Sequence, residues 1–280
     1  IRLGQPRPNL LQLLAQPQMG LVFERQGSGP FAIDRARSGD GRLRLVREVP
    51  TPDEEEPRIE QLDLSGAAAQ AAIERFVAGE ADLVLGGTFA DLPYAQQAEL
   101  PRQALRFDPA SGLFGLLPAR RRGPAADAEV RRLLSQAIDR QALVKALAVP
   151  GLLPRTTVLE PGLDNMPEPV PPDWAAVDLA ERRPDLLATA RQLLPAEDEP
   201  VIRIAVPDGP GGQILLDRLS QDWGALGITV EKSGKGAPAD FRLVDEVAPS
   251  SSASWFLRRF RCGEARLCSD EVDSLLEAAR

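Results

Sequence analysis

The sequence predicts a soluble α/β protein with more than one lobe, and three observations carry that prediction. A chain of 280 residues, 43% hydrophobic and 26% charged, can bury a substantial core. Strand-like and helix-like segments alternate along most of its length, the order of an α/β lobe. No apolar run approaches the roughly 18 residues that a membrane-spanning helix requires.

The first recognisable segment follows the apolar run Leu21-Val22-Phe23. Gly27-Ser28-Gly29-Pro30-Phe31-Ala32 fits the spacing G-x-G-x-x-[GA] of a dinucleotide-binding turn. That fingerprint needs its third small residue inside a helix whose N-terminus faces the pyrophosphate. Here Phe31, Ile33 and Arg35 alternate with Ala32, Asp34 and Ala36, Ser38–Gly41 is a turn cluster, and Leu43, Leu45 and Val46 resume a strand pattern. A β-hairpin is expected, its glycines serving backbone freedom, and no cofactor is assigned. "PRIEQLDL", ending at Leu64, reads as a further strand.

Ser65 reads as the N-cap of a helix whose apolar face is Ala69, Ala72, Ile73, Phe76 and Val77, with Gly79 as its stop. "ADLVLGG" (Ala81–Gly87) is expected as a short buried strand, with others at Ala104–Phe107 and Leu113–Leu117. Arg120–Arg122 read as a solvated turn, anion binding being the alternative. Val130, Leu133, Leu134, Ala137 and Ile138 carry helical periodicity, and Asp139 caps a second helix through Ala146. Seven prolines between Pro150 and Pro172 exclude regular structure there.

Beyond them come a helix from Pro184, a buried strand from Val201, an amphipathic helix ending at Gly227, and strands at Ile228–Lys232 and Ala239–Val247. Trp255–Arg261 and Ser269–Arg280 read as helices. Gly209–Gly212 ("GPGG") opens a helix, but no G-K-[ST] follows, so a nucleotide loop is unsupported.

Composition removes several function classes. A net charge of −8 argues against nucleic acid or an anionic membrane as partner. With no histidine, every histidine-dependent triad, relay or metal site is excluded, and Ser28 has no base. Cys262 and Cys268, separated by five residues, fit neither a zinc nor a C-x-x-C redox pattern. They read as a local disulfide, which implies an oxidising compartment, with two buried thiols as the alternative. No catalytic residue is assigned, and an enzyme is not expected.

Five words, in order, resemble those of the extracellular solute-binding proteins of the oligopeptide/dipeptide/nickel family, which serve bacterial ABC importers. Gly27–Phe31 resembles "GTGPY", and "FVAGEADLVLGG" resembles "L..GEIDLV". "VRRLLSQAIDRQALV" (Val130–Val144) resembles "VRxALxYAIDRxxIV". "WGALGITVE" and "SDEVDSLLEAA" resemble the family's "L...GIxVE" and "S.EVDxLLxEA".

The resemblance implies a periplasmic-binding-protein-like two-lobed α/β fold. Residues 1–25 would end the family's small middle domain, 26–123 belong to lobe I and 124–280 to lobe II. The family's N-terminal part and final C-terminal segment have no counterpart here. The implied function is capture of a small, peptide-like solute between lobes that close on a hinge. The implied partners are the membrane subunits of an ABC importer, for an exported, periplasmic monomer without cofactor. A similar module acting as a sensor or interaction domain is the alternative. Peptide-binding members carry a segment like "GWxADYxDP" whose acidic residue pairs with the ligand's amino group. Pro249 stands at that position here, with Asp245 and Glu246 nearby as substitutes. Phe89 and Phe114 complete the candidate ligand-binding set. Nickel-type binding is disfavoured by the absence of histidine.

Overall fold

The computed structural model describes residues 10–14, 19–24, 26–27, 29–51, 56–163, 166–194, 200–234, 236–263, 265 and 267–278. Ser28 lies outside them. In chain order the elements are α1 (Leu10–Leu14), β1 (Val22–Phe23), β2 (Gln26–Gly27), β3 (Ala32–Ile33), β4 (Arg42–Val49) and β5 (Arg58–Ser65). There follow α2 (Ala69–Val77), α3 (Leu92–Gln97), β6 (Gly112–Pro118), α4 (Ala128–Ala137), α5 (Arg140–Leu147) and α6 (Leu179–Leu193). The chain continues with β7 (Val201–Ala205), α7 (Pro210–Gly224), β8 (Thr229–Lys232), β9 (Phe241–Val247), α8 (Ala253–Leu257) and α9 (Asp270–Ala278). Two compact units result, Ile1–Ala72 and Ile73–Arg280.

In the first unit β1 pairs with β2, and β3, β4 and β5 form an antiparallel sheet. The register sets Leu43 opposite Leu64 and Leu45 opposite Leu62, so one face is leucine-rich. Arg44 and Asp63 pair on the other face at 2.7 Å. The expected hairpin forms, with β3 shorter than the alternation implied. Asp34 Oδ1 accepts the Arg37 amide at 3.3 Å and caps a 3-10 turn at Arg35–Arg37, which ends the strand.

The second unit holds a four-stranded sheet in the order β6-β9-β7-β8. β6 and β9 are antiparallel, while β9, β7 and β8 run parallel. Ile202 and Ile204 of β7 are fully buried, and α7 connects β7 to its parallel neighbour β8. Over one face pack Val130, Leu133 and Leu134 of α4, Leu186 and Ala190 of α6, and Leu215, Leu219 and Trp223 of α7. The Trp223 indole N–H donates to the Leu134 carbonyl at 3.0 Å, so this large ring is buried without an orphaned donor. Local capping chemistry fixes where α4 and α5 begin. Asp127 Oδ1 accepts the Glu129 amide at 2.7 Å, and Asp139 Oδ1 accepts that of Ala142 at 2.9 Å.

A second, smaller cluster of Leu163, Trp255 and Phe256 packs with Leu113 and Ala248. Immediately after α8 and a 3-10 turn at Arg258–Phe260, Cys262 and Cys268 form a disulfide with a Cα–Cα distance of 5.0 Å. That settles the cysteine alternatives. The proline-rich segment has its own anchor. Just past it, the Trp174 ring meets the guanidinium groups of both Arg140 and Arg182, at 5.2 and 5.0 Å from the ring centre.

Several expectations need correction. Ser65 ends β5 instead of capping α2, which starts at Ala69. Gly79 does stop that helix, with φ +75°, the Glu80 amide returning to the Arg75 carbonyl at 2.8 Å. Ala81–Gly87 is no buried strand: Leu83 and Leu85 are exposed, and no described strand bonds to it. An apolar extended run becomes a strand only where another strand supplies its hydrogen bonds. Ala104–Phe107 likewise pairs with nothing described. α6 begins at Leu179, which places Pro184 inside it. No described helix is long and apolar enough to cross a membrane.

Candidate functional site

The antiparallel ribbon of β6 and β9 organises the candidate residues. Successive side chains of a strand point to opposite faces. Phe114 lies directly across from Asp245, and Leu116 across from Leu243. Phe114, Leu116, Leu243 and Phe241 pack on the main core. Asp245 continues that face toward the end of β9, where the helices no longer cover it and the residue is exposed.

Phe89 joins the same face from a distant segment. Its ring meets that of Phe114 edge to face, with centroids 4.9 Å apart and planes at 84°. A turn fixes its position, the Asp91 amide donating to the Thr88 carbonyl at 3.1 Å. A close backbone approach then holds the turn. The Gly211 amide donates to the Ala90 carbonyl at 2.9 Å, and a Cβ on Gly211 would fall 2.0 Å from the Phe89 carbonyl oxygen. Gly209 has φ +123°, and its added Cβ would lie 2.7 Å from the Ala90 oxygen. The glycines of "GPGG" therefore let the start of α7 close against Phe89–Ala90, and no phosphate is needed to explain them.

Three of the four sequence-selected residues, Phe89, Phe114 and Asp245, are thus brought together. Although the residue is exposed overall, partial loss of hydration beside the strand raises the Asp245 carboxyl above the ordinary carboxylate range. Among the described residues no cation forms an ion pair with it. The fourth residue goes elsewhere. Glu246 points to the opposite face of β9, where it pairs with Arg259. Strand alternation forbids Asp245 and Glu246 from serving one face together. Among the described residues no three metal-ligating side chains converge to hold an ion.

Comparison with known proteins adds the following. The family model of the bacterial extracellular solute-binding proteins, family 5 Middle, matches residues 1–256. The murein tripeptide binding protein MppA of Escherichia coli superposes with a TM-score of 0.73 at 16% identity, covering 100% of this chain and 60% of its own. OppA of Burkholderia pseudomallei gives 0.73 at 17% identity, covering 99% of this chain and 61% of its own. Haemophilus influenzae OppA in complex with the peptide RPPGFSPFR gives 0.70 at 12%, covering 99% and 60%. This chain therefore spans about 60% of the length of these proteins. A comparison with curated protein sequences found no relative. At such identities the structural likeness speaks for the fold, an α/β fold of the periplasmic-binding-protein type.

Proposed function

The chain belongs to the bacterial extracellular solute-binding proteins of family 5, and from that membership we propose that it is the binding component of an ABC importer. In this reading it acts in the periplasm as a monomer and captures a peptide-like solute. Solute contacts to both lobes favour the closed state, which the importer's membrane subunits receive. Nucleic acid has no part in it, and no catalytic step is assigned.

One observation carries the choice of solute: Phe89, Phe114 and Asp245 share one face. The two rings offer apolar and π surface to a side chain or peptide plane. The carboxylate, already partly desolvated and without an ion pair among the described residues, gains from a cationic amine. Asp245 thereby takes the part of the acidic anchor absent at Pro249.

Calorimetric titration with short peptides, free or acetylated at the amino terminus, tests this. Free-amine peptides bind, and acetylation weakens them at least about tenfold, a difference of about 1.4 kcal/mol. Asp245→Asn removes the preference while leaving the melting temperature of the free protein near its wild-type value. Equal affinity for both peptide forms, or unchanged discrimination in Asp245→Asn, would sink the assignment of Asp245.

A further inference from the structure

The opposite face of the β6–β9 ribbon carries a different chemistry. A cleft of about 730 Å³ opens there, a volume typical of small-molecule sites. Leu117 of β6 and Arg242 of β9, directly paired across the ribbon, line it together with Ala205, the last residue of β7. Its position beyond the carboxyl end of a parallel strand is one where open α/β sheets commonly place ligands. Cys262, Gly263, Ala265 and Leu267 line one rim.

Four arginines line this cleft: Arg120, Arg121, Arg242 and Arg259. They come from three separate stretches of a chain whose net charge is −8. No aspartate or glutamate is among the described residues lining it. Two of the arginines are braced from behind. Asp240, only 1% exposed, has Oδ2 occupied by the Arg203 amide at 2.8 Å, while its Oδ1 lies 3.1 Å from Arg120 Nη2. Oδ1 has no aligned hydrogen bond, so its hold on Arg120 is electrostatic. Glu246 similarly holds Arg259, whose buried Nε has no hydrogen-bond partner among the described residues. A guanidinium has five donors, so one carboxylate contact leaves others to offer. Arg242 is exposed and makes no ion pair with a described residue.

We propose that this cleft binds the carboxylate or phosphate group of a small organic anion, on the face of the ribbon opposite Phe114 and Asp245. Planar guanidinium groups match both oxyanions, and convergence of several raises affinity for a doubly charged group. The apolar lining, including Leu117, Pro118 and Phe260, accommodates the carbon skeleton that bears it. The site is independent of peptide capture at Asp245.

Thermal shift and calorimetry on the whole chain, with inorganic phosphate, succinate and citrate as probes and sodium chloride at matched ionic strength, provide the test. At least one probe is expected to raise the melting temperature at millimolar concentration where chloride does not. Arg242→Ala is expected to weaken that probe at least fivefold without lowering the melting temperature of the free protein. Asp245→Asn leaves the response intact. A response to phosphate alone assigns a phosphorylated solute, and one to the carboxylates alone assigns an organic acid. A rise no greater than that given by chloride, or one unchanged in both Arg242→Ala and Arg121→Ala, would overturn the proposal.

Discussion

The two faces of the β6–β9 ribbon are one backbone with opposite chemistry. One face carries the buried Phe241 and, partly buried against the core formed with α4, α6 and α7, Leu243, Leu116 and Phe114, and it ends in the exposed Asp245. The other carries Leu117, Arg242 and Glu246 and opens into a cleft lined by arginines. Adjacent residues along β9, Asp245 and Glu246, therefore belong to different sites. Strand alternation separates them more completely than many residues of intervening sequence would. The register matters accordingly, since a slip of one position would put Arg242 in the core and Phe241 in the cleft.

The largest expected effect comes from breaking the core-packed face. Phe241 is 5% exposed and sits 6.1 Å from the Trp223 ring. Phe241→Ala should cost about 3–5 kcal/mol in denaturant unfolding, the transfer and cavity cost of a buried aromatic. The register itself comes next. A Cβ at Gly112 would lie 2.3 Å from the Glu246 carbonyl oxygen, so Gly112→Ala should cost about 1–3 kcal/mol. Hydrogen exchange should localise the loss to the Gly112–Val247 end of the ribbon.

The smallest effect concerns Asp245 and carries a definite sign. Burial raises its pKa in the folded chain. The folded state therefore keeps a proton that the unfolded state has released, and stability falls as pH rises through the interval between the unfolded and folded values. Asp245→Asn should remove that slope, matching wild type in acid and exceeding it modestly at neutral pH. A stability difference that is constant across pH would show that the carboxyl's ionisation plays no part. Binding of a cationic amine should run the other way, strengthening as Asp245 ionises.

Much of this architecture was legible in the sequence. Asp139 announced the start of α5, the isoleucines of β7 announced a buried strand, and Gly79 announced the end of α2. Those signals are local, and the structure uses them locally. The errors arose where a partner decides the outcome. Ala81–Gly87 has the composition of a strand, yet no described strand bonds to it. The glycines of Gly209–Gly212 were read only as opening a helix without a nucleotide loop, and their close approach to Ala90, far away in sequence, could not be named from spacing.

The sites divide in the same way. Phe89, Phe114 and Asp245 converge from three separate segments, selected by resemblance and residue type. Glu246 could have been set apart on strand periodicity alone, since two successive residues of a strand cannot face the same way. The arginine cleft gave only a partial linear signal, the anion-binding alternative at Arg120–Arg122. Arg120 and Arg121 looked like a solvated turn, and nothing in their neighbourhood pointed to Arg242 or Arg259.

Native mass spectrometry of the purified chain, before and after denaturation, tests the central claim of solute capture most directly. The account expects a small adduct under native conditions that leaves on denaturation and proves to be a peptide, and its loss in Asp245→Asn. A bare mass under native conditions, with no peptide raising the melting temperature when added back, would contradict peptide capture and favour a binding-like module that does not transport.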